Sequence, residues 1–191
     1  MSMPTSSNEP TIHLGDHFFV SNWKTPKRFD LICYRRDDPV FKKQIWLHRL
    51  CGMPGDIVEI RNDTLFVNGK NADANLNVRK YFVLPVTALQ DQDINEEDIT
   101  PTEKGDSAIV ILETIKQKDL INKGRPHMME YAGSDSTILR TYGRDWTLDN
   151  FGPFKVPYSS YFVLGDNRNF AMDSRFIGPI KIEDYFATAL K

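Results

Sequence analysis

Apolar residues along this chain fall in short runs of strand length rather than in long helical stripes. The first three runs are rich in β-branched and aromatic residues and end at proline or charged clusters, a pattern typical of β-strands. They occupy residues 17–22, 29–34 and 44–51. Near the C-terminus, another compact apolar run at 161–164 leads directly into Gly165.

Turn signals support the same interpretation. The runs at 56–60 and 64–67 flank Arg61-Asn62-Asp63, which predicts a hairpin, and Asn68-Gly69 is a second strong turn signal. The last stretch, 182–190, is compatible with a short strand or a helical turn. The pattern therefore predicts a mainly β protein.

The middle of the chain has a different character. Apolar residues at 108, 111, 112 and 115 are close to helical spacing, which predicts a helix within 107–123 that ends before Gly124 and Pro126. Residues 135–150 read as short strand-like pieces. We therefore predict a catalytic core formed by residues 1–70 and 151–191, interrupted by an inserted region of mixed α/β character at 71–150.

Composition excludes some classes of function. The formal net charge of the 191 residues is -2, so there is no basic footprint of the kind that nucleic-acid binding requires. Cys33 and Cys51 both lie in or beside apolar runs, and we expect reduced core residues, although the sequence leaves a disulfide open. Neither has a Cys or His partner at metal-ligand spacing, so no metal site is predicted. No apolar stretch is long enough to cross a membrane.

Three short segments stand out as candidates for chemistry. They are Ser7-Asn8-Glu9-Pro10-Thr11 with Gly15-Asp16 after it, the run from His48 to Asp56, and the run from Gly165 to Arg175. Their order and internal spacing resemble the three characteristic boxes of type I signal peptidases. One such box would be weak support, but three in the right order are specific.

The resemblance implies a core of coiled antiparallel β-sheets with a serine nucleophile and no cofactor or metal. It also implies cleavage of the signal peptides of secretory preproteins after small residues. Such enzymes are anchored in the membrane with the catalytic domain on the extracytoplasmic side. No such anchor is visible in this sequence, which leaves two alternatives: an anchor that this sequence lacks, which we favour, or a naturally soluble protein.

The first box supplies two candidate residues. Ser7 aligns with the nucleophile of the family, and Thr5 aligns with a hydroxyl residue that assists the oxyanion hole. A serine hydroxyl needs an adjacent base to become nucleophilic. The competing interpretation is that both are ordinary polar residues of an N-terminal tail.

The second and third boxes depart from the family pattern. His48 stands where bacterial members place the lysine base, and Ala171 replaces a serine that hydrogen-bonds that lysine. Imidazole titrates near neutral pH and can act as a base, as in the endoplasmic-reticulum branch of the superfamily. Two interpretations stand: His48 is the working base, or it is a relic that fills the space of a lost lysine.

The third box also supplies candidate supporting residues. A histidine base needs an acceptor for its second ring nitrogen, and Asp173 is a candidate. The resemblance instead pairs Asp173 with Arg175, a role that holds the loop. Asp166 and Arg168 are expected to hold the turn of the same box.

The substrate and the membrane suggest further residues. An extended peptide can pair with a strand edge, and the resemblance assigns this role to the strand before the base and to residues 3–6. The strand residues are Gln44, Ile45, Trp46 and Leu47. Trp23, close to Lys24, Lys27 and Arg28, is a candidate for contact with a membrane surface, while one of Phe18 and Phe19 must face the core.

Two functions remain in competition. The first is a membrane-associated serine endopeptidase that removes signal peptides with Ser7 and His48. The second is a catalytically inactive relative that binds extended peptides or a protein partner. The coordinated loss of the lysine and its supporting serine favours the second, and the retention of Ser7 with a titratable base favours the first.

Overall fold

The structure of the protein is a computed structural model that describes residues 1–38, 42–90, 92–127 and 135–190. It confirms a mainly β fold with antiparallel sheets. In chain order the strands are β1 (Phe19–Ser21), β2 (Leu31–Asp38), β3 (Lys42–Gly52), β4 (Ile57–Arg61), β5 (Thr64–Val67), β6 (Lys70–Asn71), β7 (Arg79–Pro85), β8 (Ile99–Pro101), β9 (Ser107–Glu113), β10 (Arg125–Pro126), β11 (Phe151–Lys155), β12 (Ser160–Leu164), β13 (Ile180–Lys181) and β14 (Tyr185–Leu190). The helices are α1 (Lys118–Ile121), α2 (Ser136–Tyr142) and α3 (Ser174–Ile177), with short 3₁₀ turns at Val86–Ala88, Glu96–Asp98 and Ile182–Asp184.

The largest sheet has six strands in the order β1-β14-β2-β3-β12-β13. Strand β3 pairs with β2 along the whole of β2, and it pairs with β12 only through its last residues, from Arg49 to Gly52. β12 is buried at every position, which matches its uninterrupted apolar sequence. β3 therefore connects the centre of the sheet to the region where the second and third boxes meet.

Two smaller sheets complete the architecture. One has the order β11-β4-β5-β6 and includes the hairpin predicted around Asn62, where Asn62 and Asp63 both have positive φ. The other has the order β10-β7-β9-β8 and is formed by residues 79–126. This sheet has its own apolar cluster, in which Phe82, Leu84, Val110 and Leu112 are buried together.

The helix predicted within 107–123 is wrong for most of its length. Residues 107–113 form strand β9, and only Lys118–Ile121 is helical. Ala108, Val110 and Leu112 are the buried residues of β9, so the true period is two. The error arose because Ile109 and Ile111 are also apolar, which lets an apolar strand mimic helical spacing.

The strands predicted within 135–150 are also wrong, because this stretch contains helix α2. Asp135 caps the helix, since its carboxylate accepts hydrogen bonds from the backbone N–H groups of Thr137 (2.8 Å) and Ile138 (3.3 Å). Gly143, with a φ of 63°, ends it in a left-handed conformation. Both cap signals were present in the sequence.

Both cysteines are free and fully buried, as expected of reduced core residues. Burial raises the pKa of Cys33 to about 11 and that of Cys51 to about 12. Both thiols are therefore protonated and unreactive at neutral pH. Within the described ranges, no helix is long and apolar enough to cross a bilayer.

A buried ion network joins the middle of the chain to the third box. Arg168, 2 % exposed, donates two hydrogen bonds to the carboxylate of Asp73, at 2.8 Å and 2.6 Å. Lys80 Nζ donates to the same carboxylate at 2.8 Å. Burial by itself would raise the pKa of Asp73, but the two cations outweigh it and hold that pKa well below its usual range.

Neutralising the centre of this network should strongly destabilise the protein. Asp73→Asn removes the carboxylate that Arg168 and Lys80 share, which leaves Arg168 without its ion-pair partner and Lys80 with only Asp63, at 3.8 Å. We expect the free energy of unfolding to fall by about 3–5 kcal/mol. Urea denaturation measures this difference. The control is Glu59→Gln, since Glu59 contacts Arg61 at 3.5 Å in a largely solvated pair and should change stability by less than about 0.5 kcal/mol. Equal effects of the two substitutions would contradict this account of the network.

Candidate active site

The three boxes meet at one buried ion pair. Arg49 Nε donates to Asp166 Oδ1 at 2.6 Å, and Arg49 Nη2 bonds both Asp166 Oδ2 and the hydroxyl of Thr11. Arg49 is 5 % exposed and Asp166 is fully buried. Thr11, Arg49 and Asp166 belong to the first, second and third boxes respectively, so this pair brings all three segments together.

The segment around Ser7 is held from two sides. On one side, the backbone N–H of Asn167 donates to the Ser7 carbonyl at 3.0 Å and the Asn167 side chain donates to the Ser6 carbonyl at 3.2 Å. On the other side, the buried Asn8 side chain donates from Nδ2 to the Leu47 carbonyl of β3 at 2.7 Å. Asn8 therefore ties the first box to the strand that carries His48.

Close packing explains the glycine that opens the third box. A Cβ atom added at Gly165 would lie 2.6 Å from the carbonyl oxygen of Ser7 and 2.2 Å from the Cβ atom of Ala171. Both separations are far below van der Waals contact. Gly165 therefore allows the first and third boxes to approach each other directly.

The hydroxyl of Ser7 has two hydrogen-bond partners. Its Oγ lies 3.0 Å from Thr5 Oγ1 and 3.4 Å from Asn8 Nδ2. Ser7 and His48 line the same cavity, but no hydrogen bond within the described part of the chain joins them. The hydroxyls of Thr5 and Ser7 thus lie together in the cavity that His48 also lines.

His48 is buried, at 3 % exposure, and its Nδ1 lies 2.8 Å from the hydroxyl of Tyr34. Burial lowers the pKa of His48 to about 4, although the negative charges of Asp173 and Asp166 act to raise it. Burial also raises the pKa of Tyr34 well above its usual range. The pair is therefore a neutral imidazole and a neutral phenol at physiological pH.

Tyr34 is the site residue that sequence reasoning missed. In the register of β2 and β3, Ile32 lies opposite His48 and Tyr34 lies opposite Trp46. Tyr34 and His48 are therefore diagonal neighbours on one face of the sheet, within reach of a long side chain. Tyr34 ends an apolar run in which all residues from Leu31 to Tyr34 are buried, so only the pairing register identifies its partner.

The other residues of the third box make structural pairs. Asp173 accepts from Arg175 Nη2 at 2.7 Å and Nε at 2.9 Å, and it also accepts from the Gly165 backbone at 3.1 Å. Asp166 bonds Arg49, and Arg168 bonds Asp73, so these two do not pair with each other. Asp173 therefore pairs with Arg175. The partner of His48 Nδ1 is the Tyr34 hydroxyl and not Asp173.

A cleft of about 270 Å³ opens above Ser7 and His48. Its walls are mainly apolar, and they include Phe170 and Met172, which are 56 % and 52 % exposed. The cleft is lined by Met1, Ser2, Met3, Pro4, Thr5, Ser7, Phe18, Gln44, Ile45, Trp46, Leu47, His48, Phe170 and Met172. The structure therefore brings together Ser7, Thr5, His48 and all four strand residues proposed to contact substrate.

Among the described residues, no strand pairs with β3 before Arg49 on the side away from β2, next to this cleft. β2 pairs with β3 from Lys42 to Arg49, whereas β12 occupies the opposite side only from Arg49 onward. Before Arg49, the Leu47 carbonyl already bonds Asn8. The remaining edge at residues 44–46 can accept an extended peptide by backbone hydrogen bonds. Among the described residues, no cluster of His, Cys, Asp or Glu side chains is arranged to hold a metal ion.

A serine hydroxyl and a neutral imidazole at an apolar cleft, beside an open strand edge, form the kind of site that peptidases use. Comparison with known proteins agrees. The family described as signal peptidase, peptidase S26, matches residues 1–190. The chain belongs to this family.

Two curated relatives show the degree of similarity. Signal peptidase I S of Bacillus subtilis (strain 168) is 27 % identical over 172 residues, which cover 87 % of this chain and 60 % of the relative. Signal peptidase I P of Bacillus subtilis subsp. natto is 30 % identical over 173 residues, covering 88 % and 62 %. The chain thus spans about three fifths of the length of these relatives. A solved signal peptidase I from Enterococcus faecalis V583 is 25 % identical, covers 88 % of this chain and 98 % of its own, and gives a TM-score of 0.45.

The depressed pKa of His48 predicts a specific loss of stability in acid. Between the unfolded pKa of about 6.5 and the folded pKa of about 4, the unfolded state binds the extra proton. The contribution of His48 to the free energy of unfolding is therefore complete above pH 6.5. It falls progressively as the pH decreases towards 4, by up to about 3 kcal/mol. Urea unfolding of the wild type and of His48→Gln across this pH range measures the difference.

The matched control is His13→Gln, since the His13 side chain is 61 % exposed. This control should keep the acid-dependent loss seen in the wild type. An unchanged pH dependence in His48→Gln would show that the imidazole is not held neutral by its burial.

Proposed function

We propose that this protein is a membrane-associated serine endopeptidase that removes signal peptides from secreted preproteins after small residues, with Ser7 as nucleophile and His48 as base. The observation that carries the proposal is the convergence of Thr5, Ser7 and His48 on one apolar cleft beside the open edge of β3. Family membership supports the reaction class, while the residue roles come from this geometry.

The buried imidazole suits a base that works without a metal or a lysine. Since the pKa of His48 is about 4, the ring is neutral and able to accept a proton at physiological pH. In the proposed tautomer, Nδ1 carries hydrogen and donates to the Tyr34 hydroxyl, which leaves the lone pair of Nε2 for Ser7. Substrate binding would draw Ser7 Oγ from Thr5 and Asn8 towards that nitrogen, since catalytic hydrogen bonds often tighten only in the complex.

The chemical steps follow from these positions. Ser7 Oγ attacks the carbonyl carbon of the scissile bond as its proton passes to His48. The imidazolium returns that proton to the departing amine, and a water molecule then hydrolyses the ester with His48 again as the base. The Thr5 hydroxyl, 3.0 Å from Ser7 Oγ, and the backbone N–H of Ser7 are proposed donors to the oxyanion.

Substrate recognition would use the strand edge and the cleft walls. The signal peptide would lie extended between Gln44, Ile45, Trp46 and Leu47 on one side and residues 3–6 on the other. A cleft of about 270 Å³, narrowed by Phe170, favours small side chains next to the cleaved bond.

The proposed orientation places the protein at a membrane on the extracytoplasmic side. Trp23 and Phe19 are 94 % and 83 % exposed, and Leu14 is 62 % exposed. Phe18, by contrast, packs against the core, so it is the inward member of its pair. Exposed aromatic residues next to Lys24 are typical of proteins that contact the membrane interface.

A second function is favoured by one specific observation. Ser7 Oγ is bonded by Thr5 and Asn8 rather than by His48, and the second ring nitrogen faces a phenol instead of a carboxylate. A phenol that donates to Nδ1 would leave hydrogen on Nε2, the tautomer that cannot accept the serine proton. In that case the protein would bind extended peptides without cleaving them.

Cleavage of a peptide with an Ala-x-Ala site, measured in detergent, separates the two functions. We expect the wild type to cleave, and Ser7→Ala and His48→Ala each to lower kcat/KM by about 10³-fold or more, because nucleophile and base act as a unit. Ser159→Ala is the matched control, because Ser159 is exposed and lies outside the cleft lining.

The double substitution His48→Lys with Ala171→Ser provides the opposite test. Activity in this variant together with silence in the wild type would show an intact scaffold whose base has been lost, and would support the peptide-binding function. Wild-type activity that survives Ser7→Ala would contradict the proposed nucleophile.

The pH below which activity is lost should be well below the pH at which an ordinary histidine becomes protonated. Since burial holds the pKa of His48 near 4, kcat/KM should remain constant from neutral pH down to about 5 and then fall. Tyr34→Phe removes the partner of Nδ1 and should lower kcat roughly 10- to 100-fold. A loss of wild-type activity near pH 6.5 would contradict a buried, neutral base.

A further inference from the structure

Arg79, the first residue of β7, reaches out of the inserted region towards the nucleophile. Its Nη1 donates to Glu9 Oε2 at 2.5 Å, and its Nη2 donates to Asp98 Oδ1 at 2.5 Å. Glu9 lies two residues after Ser7, whereas Asp98 lies in the 3₁₀ turn Glu96–Asp98 of the inserted region. One guanidinium therefore links two segments that are far apart in sequence.

The surroundings make this link tighter than an ordinary surface pair. The side chain of Arg79 is 19 % exposed, and those of Glu9 and Asp98 are each 15 % exposed. Partial burial reduces screening by solvent, and the planar fork of arginine can hold two carboxylates at once. A lysine at this position would present a single ammonium group and could not reproduce the geometry.

The backbone of Arg79 docks on the third box. Its N–H donates to the Asp166 carbonyl at 2.9 Å, and its carbonyl accepts from the N–H of Arg168 at 3.1 Å. Between these two residues, Asn167 holds the carbonyls of Ser6 and Ser7. The inserted region therefore contacts both the nucleophile segment and the residues that hold it.

A second contact reaches the cleft wall. Tyr81, two residues along β7, packs edge-on against Phe170 with ring centroids 5.9 Å apart. Phe170 lines the cleft beside Ser7 and His48. Two residues on the same face of β7 thus touch the active-site region, one at the nucleophile segment and one at the wall.

We propose that Arg79 is a positioning residue for Ser7 and that Asp98 completes its site, so that the inserted region holds the nucleophile segment in place. The guanidinium fixes Glu9, and Glu9 fixes the turn in which the Thr11 and Ile12 amides bond the Asn8 carbonyl at 2.9 Å and 3.0 Å. The expected effect on kcat rests on the proposed function. The expected effect on the stability of the turn after Ser7 does not.

Hydrogen exchange of the full chain tests the structural part without any need for activity. Arg79→Gln and Asp98→Asn should each raise the exchange rates of the Thr11 and Ile12 amides by about tenfold, because the local turn opens more readily. Glu9→Gln keeps the shape of the side chain and should act in the same way. The double variant Glu9→Gln with Arg79→Gln should exchange no faster than either single variant, because the two residues act through one contact.

The matched control is Lys116→Gln, which removes an ion pair with Glu113 inside the same inserted region. Lys116 is 68 % exposed, and this substitution should leave the Thr11 and Ile12 amides unchanged. Exchange at the wild-type rate in Glu9→Gln and Asp98→Asn would overturn the proposal. Equal acceleration in the Lys116→Gln control would overturn it as well.

Kinetics and labelling provide the second readout. In an active wild type, Asp98→Asn should lower kcat about tenfold with KM nearly unchanged, since a misplaced nucleophile affects the chemical step. Arg79→Lys should recover only part of the loss seen in Arg79→Gln. Because Cys33 and Cys51 are buried, a Ser7→Cys variant has one reactive thiol, and Asp98→Asn should change its alkylation rate by iodoacetamide.

The two proposals can fail separately. An inactive wild type whose amides and thiol respond to Asp98→Asn would support the positioning role and contradict the peptidase. If the wild type is active, and Asp98→Asn changes neither kcat, nor the amide exchange rates, nor the alkylation rate of the thiol, the result would support the peptidase and overturn the positioning role.

Discussion

The ion pair between Arg49 and Asp166 is the constraint on which the rest of the site depends. It is buried, so its two charges need each other, and each of them stands directly beside a site residue: Arg49 follows His48, and Asp166 precedes Asn167. Thr11 joins the pair through its hydroxyl. The segment around Ser7, the strand that carries His48 and the loop of the third box are therefore brought together by one electrostatic contact.

Around that pair, the buried charged side chains form ion pairs with one another, and His48 lies in less polar surroundings. Arg168 with Asp73, and Arg175 with Asp173, are neutralised as pairs. His48 lies among Tyr34, Trp46 and the cleft wall, and within the described part of the chain no carboxylate is hydrogen-bonded to it. Desolvation therefore decides the charge state of the imidazole. A lysine in the same surroundings would also have its pKa lowered, so the environment suits either kind of base.

The inserted region is connected to the site more closely than its separate sheet suggests. Asp73 and Lys80 form part of the buried network around Arg168. Arg79 and Tyr81 contact the segment around Ser7 and the cleft wall. The sheet has an apolar core of its own, yet its strand β7 also makes polar contacts with the first and third boxes. The division into a core of residues 1–70 and 151–191 and an inserted region at 71–150 remains a prediction.

The sequence by itself determined the three boxes, the mainly β class and the hairpin around Asn62, and it favoured reduced cysteines. These features depend on local turn chemistry, apolar runs and motif spacing, which are visible along the chain. The prediction of a helix within 107–123 was wrong, because the additional apolar residues Ile109 and Ile111 gave strand β9 a spacing close to that of a helix. The prediction of strands within 135–150 was wrong as well, because Asp135 and Gly143 cap helix α2 in a stretch of strand-like composition.

Only the tertiary structure decided which side chains meet. Tyr34 reaches His48 through the register of two strands, Asn8 reaches Leu47 across 39 positions, and Arg79 reaches Glu9 across 70. Each residue looked ordinary in its own segment. Contacts between distant segments depend on strand register and on the burial of charge, and neither is encoded in any single stretch of the chain.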